Sequence, residues 1–169
     1  MIGPFPTPSY GGSSFVLTFI DDYSQFCWVY FLKLKSELFE HLNIWKALVE
    51  NKSGNKIKVL RNYNGKEYVN KNQHRCQYSG IQMQHSTPYT PQQNGVAERK
   101  NRVLKEMDTC MIEAKDLSPN IWDKSIKCAA YIQNRYLHKS VSGKTPYEAW
   151  FGHKPNISHF RIFGSRSWD

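Results

Sequence analysis

Glu98, Arg102 and Lys105 recur at helical spacing within a segment whose pattern predicts a helix over Gly95–Ala114, so one carboxylate and two cations share a stripe. Arg99, Lys100 and Asn101 fill the turn between them. Two chemistries suit this set. A carboxylate oxygen is a hard ligand for a divalent cation, and clustered Lys and Arg neutralise a phosphate backbone. The same stripe also suits a plain solvated face with Glu98 and Arg102 as an i,i+4 ion pair. Spacing alone leaves both readings open.

The elements around this stripe must position it. Just before it, Pro88, Pro91 and Gly95 surround two Gln and an Asn, a composition that predicts a mobile loop running into the helix. Within the helix, Val96, Val103, Met107, Cys110 and Ala114 form the expected apolar row. Upstream, residues 1–14 read as an extended lead-in closed by a turn at Gly11-Gly12. Phe15–Asp22 and Phe26–Leu32 then read as two strands of a hairpin, apolar enough to be covered on both faces. A helix capped by Ser36 and running to about Glu50 follows, with Leu38, Leu42, Trp45 and Val49 on one face. Ile57–Leu60 and Ile81–His85 are short strands, with a weak helix over Lys71–Ser79 between them. Ser118-Pro119 opens a helix over about Asn120–Leu137, burying Trp122, Ile126, Ala129 and Ala130. One helical turn falls within Lys144–Gly152, and Phe160–Phe163 is strand-like. Strands alternating with helices predict an α/β layer architecture with a mixed sheet, in one domain spanning 1–169.

The 23 Lys and Arg exceed the 14 Asp and Glu, giving +9 and a field that attracts polyanions, nucleic acid foremost. No run approaches the roughly 18 apolar residues of a membrane span, so no membrane partner is expected and the chain reads as intracellular. Cys27, Cys76, Cys110 and Cys128 are too scattered for a zinc site with any of the six His and read as buried thiols in a reducing compartment. Asp21 and Asp22 end the first strand and suit hydrogen bonding within its turn. His85 and His153 read as structural or surface residues.

The segments GPFPTPSYGG, LTFIDDYS, VLRNYNGKEY and above all PYTPQQNGVAERKNR closely resemble the integrase catalytic core of copia-type LTR retrotransposons. SPNIWDKSIKCAAYIQNR and KTPYEAWFGHKP extend the resemblance over almost the whole chain. It implies a ribonuclease H-like fold, with a mixed five-stranded sheet flanked by helices, whose first strand is truncated in this chain. It also implies metal-dependent DNA end-processing and joining, with DNA as partner, possible homo-oligomers and a nuclear location. Such enzymes use three carboxylates to hold two Mg2+ or Mn2+ ions that stabilise an in-line phosphoryl transfer.

Carried over by motif, the third acid is Glu98, and Arg99, Lys100, Asn101, Arg102 and Lys105 become the nucleic-acid contacts. The second acid falls at Tyr63, because LRNYNGKEY stands where the family reads a pattern like LRSDNGGEY. A neutral tyrosine is a poor magnesium ligand. Asn62 and Lys66 depart as well. The first acid would precede Gly3-Pro4 by three positions, immediately before Met1. The resemblance therefore implies an integrase core that is catalytically inactive in this chain, with Glu98 as sole remaining ligand and no tightly bound metal. The alternative is a domesticated or decayed remnant that acts only as a DNA-binding or protein-interaction module.

Overall fold

The structure is a computed structural model that describes residues 1–62, 80–85 and 91–165. Two compact units make up the chain, Met1–Lys35 with Arg99–Asp169, and Ser36–Glu98. The longer helices are α1 (Leu38–Ser53), α2 (Pro91–Glu113) and α3 (Trp122–Gln133).

In the first unit, β1 (Phe15–Ile20) and β2 (Cys27–Leu32) pair antiparallel from Phe15↔Leu32 to Ile20↔Cys27. No residue of either strand is exposed, as their unbroken apolar runs require. The hairpin turn is held by Asp21, whose Oδ2 accepts from the Ser24 backbone N–H at 2.7 Å and from its hydroxyl at 2.6 Å. That is the turn role the sequence suggests for Asp21. Ahead of β1, the lead-in is fixed in place: Ile2 and Val16 exchange backbone hydrogen bonds at 2.8 and 3.0 Å, and the Phe5 N–H reaches the Ser14 carbonyl at 2.9 Å. Gly3 makes this approach possible. Its φ is +116° and a Cβ there would stand 2.7 Å from the Ser14 carbonyl oxygen.

Helix α3 follows a 3-10 turn at Pro119–Ile121, so the regular helix starts later and ends earlier than its apolar pattern suggests. Ser118 caps the turn by accepting from the Asn120 N–H. Trp122, Ile126, Ala129 and Ala130 are buried as expected. Trp122 lies flat against Phe5, centroids 4.0 Å apart, and its indole N–H donates to the Thr7 carbonyl at 2.9 Å. Val16, Trp122 and Ile126 form one core cluster, with Phe5, Val29 and Ile112 packed against it. A short helix at Pro146–Phe151 is capped by Thr145, which accepts from the Glu148 N–H.

In the second unit, α1 buries Leu42, Trp45 and Val49 and ends at Gly54, whose φ is +69°. Its capping position is Glu37 and no side chain caps it; Ser36 instead lies in a 3-10 turn, Lys35–Glu37, which displaces the expected cap. Strands β3 (Val59–Asn62) and β4 (Gln82–His85) pair in parallel, from Val59↔Gln82 to Asn62↔His85.

Four strands in two two-stranded sheets are therefore present among the described residues, where the resemblance implies one five-stranded sheet. Phe160–Phe163 is not a strand. The Phe160 N–H bonds locally to Ile157 and the Ser165 N–H to Ile162, so turns consume the backbone groups a ladder would need, and Phe160, Arg161 and Ile162 are exposed. Helix α2 begins within the stretch expected to be loop, with proline at its first position, where the missing N–H costs nothing. Lys71–Ser79, expected as a weak helix, and Tyr63 lie outside the described residues.

One side chain closes the edge of β2. Asn134, at the end of α3, accepts from the Cys27 N–H at 2.9 Å and donates to the Cys27 carbonyl at 2.8 Å, imitating a neighbouring strand. Replacing Asn134→Ala orphans a buried donor and a buried acceptor together. The expected loss is about 3 kcal/mol in urea unfolding.

Candidate nucleic-acid interface

Helix α2 carries the motif from Pro91 onward, and its rotation about its own axis decides what those residues can touch. Lys100, Leu104 and Asp108 are buried at 6, 0 and 6% exposure, while Glu98, Arg99, Arg102, Lys105, Glu106 and Thr109 are exposed. The inward row thus repeats every four residues through Leu104, which packs with Cys27, Ala129 and Ala130. The row expected from apolar residues, running through Val103 to Cys110 and Ala114, is displaced by roughly a quarter turn. Cys110 and Ala114 are exposed. The displacement has a plain cause: the buried face includes two charged residues, which read as solvent markers in a sequence.

Each buried charge has a definite setting. Asp108 accepts a hydrogen bond from the Ser125 hydroxyl of α3. Burial raises its carboxyl above the ordinary value, and the Ser125 bond and the charge of Lys105 pull it back. Lys100 ends in a buried ammonium that meets no hydrogen-bond acceptor among the described residues. Burial lowers its pKa, opposed by the nearby Cys27 thiol, while the same ammonium, after burial, helps lower that of His138. Cys27 itself is pushed up to about 12 by burial, which makes it an unreactive thiol. Of the cysteines expected to be buried, Cys27 is, Cys128 is partly so, Cys110 is not, and Cys76 is outside the described residues.

On the outward side, Arg102 pairs with Glu106 at 3.7 Å, both side chains about two-thirds exposed, rather than reading only backwards to Glu98. Arg102, Lys105, Glu106, Thr109 and Cys110 line a shallow surface groove of about 340 Å³. Asn101 sits at the border, its carboxamide oxygen accepting from the Thr18 hydroxyl of β1 at 2.9 Å. Of the residues expected to meet nucleic acid, then, Arg99, Arg102 and Lys105 face outward, Asn101 is partly engaged with the hairpin, and Lys100 is inside. Glu98 is exposed one turn before Arg102. No group of three or more His, Cys, Asp or Glu side chains among the described residues is placed to hold a metal ion. No helix there is long and apolar enough to cross a membrane.

Comparison finds relatives of the chain among known proteins. The chain is 37% identical over 166 residues to the retrovirus-related Pol polyprotein from transposon TNT 1-94 of Nicotiana tabacum, an alignment covering 98% of this chain and 12% of that one. The Pol polyprotein from transposon RE2 of Arabidopsis thaliana is 31% identical over 159 residues, covering 94% and 11%. The chain is a homologue of retrotransposon Pol polyproteins with an integrase-core fold. No family model matches this homologue. The fold is that of a chain of the simian T-cell lymphotropic virus intasome, at TM-score 0.64 and 20% identity over 90% of this chain and 56% of that one. It is shared by the HTLV-2 integrase catalytic core in complex with magnesium, at TM-score 0.57 and 20% identity over 79% and 82%. The catalytic core of BIV integrase gives 0.56 and 22%, over 81% and 85%. The Pol homologue thus spans about an eighth or less of the polyproteins it matches, and its plant relatives agree with a copia-type origin.

Lys100 yields a direct test. Its folded-state pKa is lowered below the unfolded value, so the unfolded chain binds more protons between the two, and stability rises as pH climbs through that interval. Lys100→Met removes the buried charge while keeping the stem's shape. It is expected to raise stability at neutral pH by about 1 kcal/mol and to flatten the rise on the alkaline side, both read from thermal melts across pH.

Proposed function

We propose that this chain is a retrotransposon integrase core that binds duplex DNA through the outward face of α2 and does not itself join DNA ends. The observation that carries the reading is the locked rotation of α2, which keeps Arg99, Arg102 and Lys105 exposed while Leu104 is fully buried. Cations held on one face of a rigid helix meet phosphates with little further ordering, and the overall +9 charge favours the encounter. The Arg102–Glu106 pair does not compete seriously, because so exposed an ion pair is weak.

The catalytic half of the reading rests on the donor set. Two hard cations with phosphate and water ligands need several converging anionic oxygens, and the position matching the family's second acid holds Tyr63, a neutral phenol at pH 7. Without a carboxylate at that position, the set is short of a ligand that the pair needs. The residues present do not fit a magnesium pair, so no chemical step is assigned to one. Self-association belongs to the proposal as well, in line with the trimeric form of the HTLV-2 core. Such a role would be exercised on nuclear DNA.

The test is the salt dependence of duplex binding. The logarithm of the association constant should fall linearly with log salt concentration, and Arg102→Gln with Lys105→Gln should flatten that slope by about one unit for each phosphate no longer neutralised. Salt-independent binding, or none, removes the DNA-binding half. A labelled donor duplex incubated with Mg2+ or Mn2+ should give no joined product; product from this chain removes the inactivity.

A further inference from the structure

The carboxyl-terminal part of the first unit carries a row of rings that α2 does not use. On α3 and just past its end, the Arg135 guanidinium lies 3.4 Å from the Tyr131 ring centroid and 4.6 Å from that of Tyr147 on the short Pro146–Phe151 helix. From Tyr131 the row runs outward. Its hydroxyl is 2.8 Å from the His159 Nε2, and its ring stands 5.8 Å from Phe160, itself 5.5 Å from His159. From Tyr147 the row runs the other way to His153, whose Nε2 is 3.4 Å from the Tyr147 hydroxyl. His153 thus has a partner that sequence spacing does not reveal.

This row is not core. Tyr131 is 38% exposed and Phe160 36%, and His153 and His159 are exposed too. A ring packed to fill an interior loses most of its accessible surface; these four keep over a third, while Tyr147 is half-buried. Their orientations are nevertheless fixed, by a cation between two of them and by hydroxyl–imidazole contacts at both ends. Rings held this way lose little freedom when something stacks on them.

The surroundings indicate what stacks. Between Asn134 and Ile162 the chain has five cations, Arg135, Lys139, Lys144, Lys154 and Arg161, against the single carboxylate of Glu148. An apolar protein partner has no use for that excess, whereas a polyphosphate backbone does. In a duplex the base faces are already stacked on one another, so open rings offer nothing to it. Unpaired bases have free faces, and every base has one. We infer that the Tyr131–His159–Phe160 row, continued through Arg135 to Tyr147 and His153, is a stacking track for single-stranded nucleic acid, separate from the duplex-facing side of α2.

The inference does not rest on the proposed role of α2, and one experiment separates them. Binding of the whole chain to a labelled oligothymidylate and to a duplex is followed by anisotropy, alongside an abasic strand of equal length. Phe160→Ala and Tyr131→Ala should each weaken oligothymidylate binding by about ten-fold, with duplex affinity unchanged and Phe160→Trp restoring the loss. The abasic strand should bind wild type about as weakly as oligothymidylate binds the variants. Should Tyr131→Ala fail to fold, Phe160→Ala, at an exposed tail position, decides alone. Arg102→Gln with Lys105→Gln should do the reverse, weakening the duplex while keeping the Phe160 effect. Oligothymidylate binding that ignores Phe160→Ala, or an abasic strand that binds as tightly as oligothymidylate, overturns the track. An absence of duplex binding alone would overturn the α2 reading and leave this one standing.

Discussion

Leu104 is the fixed point of the larger unit. It is completely buried against Cys27 of β2 and the paired alanines Ala129 and Ala130 of α3, where two small side chains allow the helices to approach closely. A helix has one rotational freedom about its axis, and this contact removes it. Residues four before and four after must then share the inward face, whatever their chemistry. Lys100 and Asp108 are the ones that do, and the outward exposure of Arg99, Arg102 and Lys105 is the other side of the same constraint.

The constraint has electrostatic consequences that a count of charges hides. The motif holds four cations in sequence, Arg99, Lys100, Arg102 and Lys105, yet Lys100 is withdrawn and Lys105 also acts on the buried Asp108 carboxyl. The outward field of α2 is smaller than its composition suggests. Lys100 and Asp108 instead act inward, on Cys27 and His138 in one case and on Ser125 in the other, so the helix joins the hairpin and α3 through polar as well as apolar contacts. A buried ammonium with no acceptor among the described residues costs stability, which leaves packing around Leu104 to outweigh it.

Much of the scaffold was legible because its signals are local. The hairpin follows from two apolar runs split by a turn, Asp21 from its place at the strand end, and the buried faces of α1 and α3 from apolar residues at helical spacing. Helix α2 was misphased because burial was inferred from polarity, and there tertiary contact set by Leu104 overrides polarity at Lys100 and Asp108. Ser36 looks like a cap but loses the position to a 3-10 turn, a choice that depends on neighbouring geometry. The run Phe160–Phe163 has strand-like composition, yet its backbone groups are used in local turns and the Phe160 ring meets α3. Of the ring row, only the i,i+4 spacing of Tyr131 and Arg135 could be seen in sequence. The remaining contacts join residues brought together by folding.

The proposed DNA binding and the proposed loss of catalysis are separable because each is argued from different residues. Val16, Leu104, Trp122 and Ile126 hold the larger unit together, and none of them is an acid of the motif. On the proposed reading, the tyrosine at position 63 withholds a charge needed to gather metal ions, but the clusters around Leu104 and Trp122 are built from β1, β2, α2, α3 and the lead-in. The packing that fixes the rotation of α2 therefore persists whether or not a carboxylate stands at that position. The cations of α2 can therefore stay arrayed whatever residue stands at that position, and the geometry of α2 bears on the proposed binding and not on turnover.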